Sequence, residues 1–221
     1  MNQKESIYVF KTLLLGDGAV GKTSLISQFT KGFIKKDYKM TIGVDIFSKT
    51  VNSDEGTVKL SVWDLAGQER FKAVRSAFYG GTAGALLVFD LTRIVTFRNL
   101  VGWLEELYKY GAPNAPVVLI GNKVDLPHLR EVRQEDAEWF ANEIGSEYIE
   151  TSAKTGEHVE EAFDALTTKM VHNSIEKAVK LERRTEGVRR YTAADRSSFD
   201  TTDRDRHFKT YDDKKEDEEI W

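Results

Sequence analysis

The chain of 221 residues contains no cysteine, and no apolar run in it approaches the roughly 20 residues that a membrane-spanning helix requires. Without cysteine there are no disulfide bonds, so the fold must rest on a hydrophobic core, for which a 40% hydrophobic content is sufficient. The opening Met1-Asn2-Gln3-Lys4 lacks a secretion or myristoylation signal. Together these absences predict a cytoplasmic protein.

Concentrated charge and metal-ligand spacing are also missing. The formal net charge is −4, and lysine and arginine are dispersed along the chain. The histidines do not recur at a spacing typical of metal ligands: they are His128, His158, His172 and His207. The sequence therefore predicts neither a nucleic-acid-binding surface nor a transition-metal site.

The most informative stretch is Gly16-Asp17-Gly18-Ala19-Val20-Gly21-Lys22-Thr23, which follows the apolar run of residues 9–15 and fits the pattern G-x-x-x-x-G-K-[ST]. Glycines let the backbone turn its N–H groups inward, and the helix expected next presents free amides and the positive end of its dipole. Such a loop favours polyphosphate. We expect Lys22 to neutralise the outer phosphates, the Thr23 hydroxyl to hold Mg²⁺, and Ser24 to contact the ligand.

The same loop also contains Gly16-x-Gly18-x-x-Gly21, the dinucleotide-binding fingerprint. The loop alone therefore does not distinguish a triphosphate from a dinucleotide, although Lys22-Thr23 after the last glycine favours the triphosphate. A kinase glycine-rich loop requires valine two residues after its third glycine, where this chain has Thr23. Another segment must identify the ligand.

That segment is Asn122-Lys123-Val124-Asp125, which follows the apolar run of residues 116–120. The Asp125 carboxylate can accept two hydrogen bonds, and guanine presents N1–H and an N2 amine side by side, whereas adenine offers neither. Sites built on such a contact discriminate by about 10⁴ to 10⁵. Downstream, Thr151-Ser152-Ala153-Lys154 offers backbone N–H groups to the guanine carbonyl oxygen. In isolation, the first tetrapeptide is also consistent with a polar strand-to-helix turn.

Between these loops, the alternating residues 58–65 predict a strand that brings Asp64 to its carboxyl end. We expect Asp64 to hold a metal-bound water and Gly67 to approach the terminal phosphate with its N–H. The Gln68 amide, which donates and accepts, can orient an attacking water. A Gly-Gln turn that merely closes a strand is the alternative interpretation.

Together these residues resemble the Ras superfamily of small GTPases, most closely its Rab-like branch. The resemblance covers about residues 8–170 and rests on GDGAVGKT, TIGVD, WDLAGQERF, GNKVD and TSAK, in the family's order and spacing. It implies a switch between GTP and GDP, in which Thr41 closes over Mg²⁺ and the terminal phosphate and is released after hydrolysis. The implied metal ligands are thus Thr23, Thr41 and Asp64, and the implied catalytic residue is Gln68.

The resemblance also implies effector, GTPase-activating and nucleotide-exchange proteins as partners, which contact the two mobile loops around Thr41 and Gln68. Ile46, Trp63 and Phe78 match positions that form an apolar effector surface, although Ile46 stands where the family usually has phenylalanine. Trp63 and Phe78 are equally consistent with core positions, since such aromatic residues usually pack inward. The identity of the effector is therefore left open.

Two further nucleotide contacts follow from the resemblance. The aromatic residue that stacks beneath guanine in relatives falls at Ile34 here, so we assign that contact to the neighbouring Phe33. Tyr38 is a second expected contact. Gly18 occupies a position where bulk commonly slows hydrolysis in this family, so a glycine there predicts an unobstructed site.

Alternating strand and helix patterns predict an α/β fold of the P-loop NTPase class: a mostly parallel six-stranded sheet with one antiparallel strand and helices on both faces. Strands are expected near residues 8–15, on both sides of the turn 52–56, and at 85–90, 116–120 and 148–151. Helices are expected near residues 22–30, 94–110, 133–144 and 157–182. Residues at helical spacing are interpreted as core, namely Trp103, Leu104, Leu107, Trp139, Phe140 and Ile144.

The GTPase domain is expected over residues 1–182, followed at 183–221 by a charged tail that is disordered or a frayed helix, because few aliphatic residues remain to offset the entropy of ordering. Prenylated relatives end in cysteine, so we expect no lipid anchor here. Either the protein works in solution or through partners, or the tail makes a weak peripheral contact with anionic lipid through Arg183, Arg184, Arg189 and Arg190.

Three functions remain open from the sequence. The leading one is a slow GTPase that binds effectors in its GTP state, in membrane trafficking or signalling. The second is a scaffold that holds GTP or GDP without appreciable hydrolysis, which Gly18 and Gln68 disfavour. The third is an ATP-using P-loop enzyme, which Asp125 disfavours, or a dinucleotide oxidoreductase, which Lys22-Thr23 disfavours. Tightly bound guanine nucleotide in the purified protein would exclude both.

Overall fold

A computed structural model describes residues 7–33, 41–111 and 113–198. Its strands are β1 (Ile7–Leu15), β2 (Val44–Ser53), β3 (Gly56–Leu65), β4 (Gly84–Asp90), β5 (Val117–Asn122) and β6 (Glu147–Thr151). Its helices are α1 (Lys22–Lys31), α2 (Lys72–Arg75), α3 (Ile94–Arg98), α4 (Leu100–Tyr110), α5 (Gln134–Glu143) and α6 (Val159–Ser198). Single 3₁₀ turns occur at Glu69–Phe71, Ser76–Phe78 and Pro127–Leu129.

The strands form one sheet in the order β2-β3-β1-β4-β5-β6. β2 and β3 pair antiparallel across the predicted turn, and every other pairing is parallel. The predicted fold class is therefore confirmed. Because parallel strands end at one edge of a sheet, the segments that follow β1, β3, β4, β5 and β6 meet there.

Alternation along the strands divides the core between the two faces of the sheet. On one face, β1, β4 and β5 contribute Leu14, Leu86, Val88, Val118 and Ile120, which pack with apolar residues of α1 and the first part of α6. The opposite face contributes Leu13, Leu15, Leu87, Phe89 and Leu119, which pack with α4 and α5. Near-continuous apolar runs are expected of parallel strands covered on both sides.

Two predictions for the helices that precede α6 were wrong. The helix expected at residues 94–110 is two helices, separated at Asn99, where the backbone has φ −77° and ψ −7°. Trp139 was expected in the core and is 64% exposed. Ala137 and Ala141, one turn apart, are the buried positions of α5, so Trp139 falls on the solvent face, while Phe140 and Ile144 are partly buried.

Helix α6 was expected to about residue 182, with disorder or a frayed helix beyond, and it continues to Ser198. The residues from Ile175 to Glu186 are exposed, so this part of the helix is formed without burial. Its sequence is rich in glutamate, lysine and arginine, which favour helix locally, and Lys180 pairs with Glu176 at 3.8 Å. The chain divides into two compact units, Met1–Ser174 and Ile175–Trp221. The rest of the predicted tail, residues 199–221, lies outside the described residues.

Among the residues that the structure describes, no helix is both long and apolar enough to span a bilayer. The same residues contain no cluster of three or more histidine or carboxylate side chains that could hold a metal ion.

Candidate functional site

At two glycines of the phosphate loop, residues 16–23, the backbone lies closer to neighbouring atoms than a Cβ atom would permit. A Cβ atom on Gly16 (φ +137°) would lie 2.0 Å from the Val88 carbonyl oxygen of β4. A Cβ on Gly21 (φ +105°) would lie 2.2 Å from Asn122 Nδ2. The loop is thus pressed between β4 and the end of β5, and α1 begins directly after it.

Lys22 is buried at the start of α1. Its ammonium donates to the carbonyl oxygens of Gly16 at 2.6 Å and Asp17 at 2.8 Å. Burial lowers the pKa of Lys22 to about 8. A buried ammonium without a full counter-charge is costly, so this position favours an anionic ligand.

Three oxygen-bearing side chains converge beside Lys22. The Thr23 hydroxyl donates to Asp64 Oδ2 at 2.5 Å, the Thr41 hydroxyl lies 3.1 Å from the same oxygen, and the two hydroxyls are 2.9 Å apart. Asp64 Oδ1 is buried and has no hydrogen-bond partner among the described residues. Burial raises the pKa of Asp64.

An orphaned carboxylate oxygen beside two hydroxyls is a donor set that suits a small, hard cation. Mg²⁺ commonly uses one or two carboxylates and completes its coordination with water and phosphate oxygens. The residues present therefore fit Mg²⁺, with Thr23, Thr41 and Asp64 as the side chains that would hold it.

The segment after β3 lies directly against the phosphate loop. A Cβ on Gly67 would lie 2.4 Å from the Asp17 carbonyl carbon, and a Cβ on Gly18 would lie 3.6 Å from Gln68 Cγ. The Ala66 amide donates to the Gly43 carbonyl at 3.0 Å, which joins this segment to the one that carries Thr41.

Asn122 connects the loops that follow β1, β5 and β6. Its Nδ2 donates to the Val20 carbonyl at 2.8 Å, and its Oδ1 accepts from Thr151 Oγ1 at 3.2 Å and Ala153 N at 3.0 Å. Asn122 thus holds three loops together, and its contact with the nucleotide stays a prediction. Since the Ala153 amide donates to Asn122 and that of Ser152 donates to Glu157, these two amides already have protein acceptors.

Asp125 lies at a cavity of about 190 Å³ next to these loops. Ser152 Oγ donates to Asp125 Oδ1 at 2.7 Å, and Lys154 Nζ lies 3.6 Å from Oδ2. Groups on the β6 loop thereby orient the carboxylate, and its recognition of guanine stays a prediction.

The structure brings most of the predicted site residues together in two adjoining cavities. The phosphate side is lined by Gly18, Ala19, Lys22, Thr23, Thr41, Asp64, Gly67 and Gln68, together with Leu65. The base side is lined by Gly21, Ser24, Asn122, Lys123, Asp125, Ala153 and Lys154, together with Leu126, which sequence reasoning missed.

The remaining predicted residues have other positions. The Asp17 carboxylate faces α4, where Trp103 Nε1 and Asn99 Nδ2 donate to it at 2.9 and 2.8 Å, and Val20 is in the core. Phe33 is 55% exposed directly after α1, and its stacking role stays a prediction. Tyr38 lies outside the described residues.

The expected effector positions form one apolar surface. Ile46 and Trp63 are cross-strand partners, and Trp63 and Phe78 have ring centroids 6.0 Å apart. Ile46 is 56% exposed, whereas Trp63 and Phe78 are partly buried against the core. The contact of this surface with an effector stays a prediction.

A cluster around Asp90 was not anticipated. Asp90 is fully buried at the end of β4 and accepts hydrogen bonds from Thr92, Arg93 and Lys123. Burial alone would raise the pKa of Asp90, but the hydrogen bonds from Lys123 and Thr92 outweigh it and keep the pKa below its ordinary value. The rule that found Asp64 and Asp125, a carboxylate at the carboxyl end of a strand, would also have found Asp90.

Known proteins provide an independent comparison. The Ras family model matches residues 11–172. Among similar proteins, Ras-related protein YPTC6 of Chlamydomonas reinhardtii is 45% identical over 165 residues, which cover 75% of this chain and 76% of that protein. Ras-related protein RABA1c of Arabidopsis thaliana is 45% identical over 172 residues, covering 78% and 80% of the two chains. Ras-related protein Rab11D of Lotus japonicus is 46% identical over 172 residues, covering 78% and 79%. With the nucleotide site assembled as described, the chain belongs to the Ras family and is a Rab-like small GTPase.

Proposed function

We propose that the protein is a GTP/GDP switch in membrane trafficking, which binds effectors in its GTP state and uses slow hydrolysis as the timer. The observation that carries the proposal is the junction of Thr23, Thr41 and Asp64. Thr41 lines the phosphate-side cavity but does not belong to the phosphate loop, so its position can depend on what occupies that cavity.

The contacts among Thr23, Thr41 and Asp64 suggest how the bound nucleotide could control the position of Thr41. When bound there, Mg²⁺ supplies positive charge to the phosphate oxygens. Thr23 and Asp64 come from α1 and β3, whereas Thr41 precedes β2 on a segment without regular structure. The terminal phosphate would thus retain Thr41, and its loss would release the segment.

Hydrolysis is assigned to Gln68, whose side chain lies next to Gly18 at the phosphate edge. Its amide can orient water but is a weak base, so intrinsic turnover is expected to be slow. Residues 35–41 contain no arginine. An arginine from an activating protein is expected to raise the rate by up to about 10⁵-fold, the figure for Ras itself with its activating protein.

Partner binding is assigned to the apolar surface of Ile46, Trp63 and Phe78 and to the two segments around Thr41 and Gln68. The first two side chains are adjacent across β2 and β3, and the third follows α2. Phe78 follows the segment around Gln68 in the chain, and Ile46 and Trp63 come after Thr41. Both the Thr41 segment and the Gln68 segment therefore border this surface. A partner that binds there can therefore sense the nucleotide.

The test is single-turnover GTP hydrolysis by the wild type, Gln68→Leu and a matched control, Gln134→Leu. Gln134 is an exposed glutamine on α5 that contacts Glu138. We expect Gln68→Leu to slow hydrolysis about 10²-fold and the control to match the wild type. Equal rates for all three would remove Gln68 from the mechanism. Persistent GTP in the wild type after long incubation with Mg²⁺ would identify a nucleotide-locked scaffold instead.

A further inference from the structure

The Asp90 carboxylate lies between the base side and the phosphate side of the nucleotide site. Its Oδ2 accepts from Lys123 Nζ at 2.6 Å and from Arg93 Nε at 3.0 Å. Its Oδ1 accepts from the Thr92 amide at 2.9 Å and the Thr92 hydroxyl at 2.7 Å. Both oxygens are thus satisfied, and the carboxylate is fixed in orientation.

Arg93 makes a second contact that crosses to the phosphate loop. Its Nη2 donates to the Gly18 carbonyl oxygen at 3.0 Å, while Nε of the same guanidinium remains on Asp90. The planar, rigid guanidinium therefore joins the loop after β1 to the loop after β4. Gly18 itself lines the phosphate-side cavity.

Lys123 completes the connection from the other direction. It lines the base-side cavity and has a left-handed backbone, φ +75°. A non-glycine residue in that conformation carries a local cost that surrounding contacts must offset. The hydrogen bond from Lys123 to the buried Asp90 is such a contact. Loss of the Asp90 cluster is therefore expected to loosen the segment after β5 that carries Lys123 and Asp125, which we call the base loop.

We infer that Asp90, Arg93 and Lys123 form a clasp that couples the base loop to the phosphate loop and slows nucleotide release, with Arg93 as its positioning residue. This inference rests on the proposed function, because it concerns how the same site retains its guanine nucleotide. Asn122 connects the same loops from within the site. The clasp connects them at the solvent-facing side of the site, where 41% of the Arg93 side chain is exposed.

The test measures dissociation of a fluorescent GDP, N-methylanthraniloyl-GDP, from the full chain at fixed Mg²⁺ with excess unlabelled GDP. Arg93→Met is expected to speed release about tenfold, the size of effect typical for a lost hydrogen bond to a charged group. Arg133→Met is the matched control, because Arg133 makes an exposed ion pair with Asp136 on α5. Unchanged release from Arg93→Met, or equal acceleration in both variants, would overturn the inference.

A second variant separates the clasp from simple attraction between charges. Arg93→Lys keeps the positive charge but cannot span Asp90 and Gly18 with one rigid group, so its release rate should fall between those of the wild type and Arg93→Met. Release at the wild-type rate would mean that charge alone acts, and would overturn the clasp. Unfolding midpoints with saturating GDP show whether each variant is folded.

Failure of the inference and failure of the proposed function are distinguishable in the same experiment. A wild type that binds GDP and hydrolyses GTP, but whose release is insensitive to Arg93, contradicts the clasp alone. A wild type that does not bind guanine nucleotide contradicts the proposed function, and the clasp with it. A slower hydrolytic step in Arg93→Met, with unchanged release, would place Arg93 in the reaction and also refute the clasp.

Discussion

The Arg75 guanidinium and the Glu106 carboxylate face each other through parallel hydrogen bonds, from Nε to Oε2 at 2.9 Å and from Nη2 to Oε1 at 2.8 Å. Both side chains are buried, and Tyr79 OH adds a third bond to Glu106 at 3.0 Å. Arg75 Nη1 also donates to the Gln68 carbonyl at 3.0 Å. An ion pair between α2 and α4 thus supports the backbone of the residue assigned to hydrolysis.

Glu106→Gln is expected to destabilise the protein by about 3–5 kcal/mol, because it leaves the Arg75 charge buried without its carboxylate. Denaturant unfolding with saturating GDP measures the change. Glu105→Gln, one position along α4 and exposed, is the matched control and should alter stability little. A variant at position 106 as stable as the control would show that the pair contributes nothing measurable.

The same pair predicts an acid-dependent loss of stability. Burial alone would raise the pKa of Glu106, but the hydrogen bonds and charge of Arg75 outweigh it and hold the pKa below its ordinary value of 4.5. A lowered folded-state pKa gives stability that is fully present above the unfolded-state value and is lost as the pH falls through the folded-state value.

Unfolding free energies of the wild type and Glu106→Gln are therefore expected to differ by a constant amount at neutral pH and to converge below about pH 4.5. A difference that stays constant in acid would show that the Glu106 carboxylate is not held in its charged form.

Asp125→Asn is expected to weaken GDP binding by at least about 10²-fold, because an amide offers one acceptor and one donor where guanine requires two acceptors. The same change should improve binding of xanthosine diphosphate, whose base has a carbonyl group at C2. Asp54→Asn, in the exposed turn between β2 and β3, is the control. Calorimetry with both nucleotides is the measurement, and unchanged GDP affinity would mean that Asp125 does not read the base.

Gly21→Ala is expected to lower GDP affinity by roughly 10- to 10²-fold, since a Cβ there would lie 2.2 Å from Asn122 Nδ2 and the backbone has φ +105°. The side chain would displace the tie between the phosphate and base loops. Gly102→Ala on α4 is the control, because apart from its chain neighbours and the adjoining helix backbone no atom lies within 4 Å of its added Cβ. Equal affinity in both variants would show that the close approach at Gly21 is not required.

The sequence was most informative where ligand chemistry imposes a local pattern. Few other functions need the spacing that Gly21, Lys22 and Thr23 have after a strand, and the strand before Asp125 marked that residue as a candidate for the site. The sheet could be predicted for the same reason, because apolar runs and turn residues are local signals.

The remaining features depend on contacts between distant segments. Nothing local marks Asn99 as a break in a helix, and its side chain finds its partner, Asp17, on the phosphate loop. Arg93 and Glu106 resemble ordinary surface residues in the sequence until the fold brings Gly18 and Arg75 to them. For residues 183–198 the sequence left disorder and a frayed helix open, because it shows no burial there, and the structure has helix, which the local helix propensity favours.

The hydrogen bond from the Ala66 amide to the Gly43 carbonyl joins the segment that carries Gln68 to the segment that carries Thr41. If either of these two segments moved away, the bond would be lost, so we expect the two segments to move together. A partner that contacts only one of them would then also respond to a change in the other, and would need only a small contact area to distinguish the two nucleotide states.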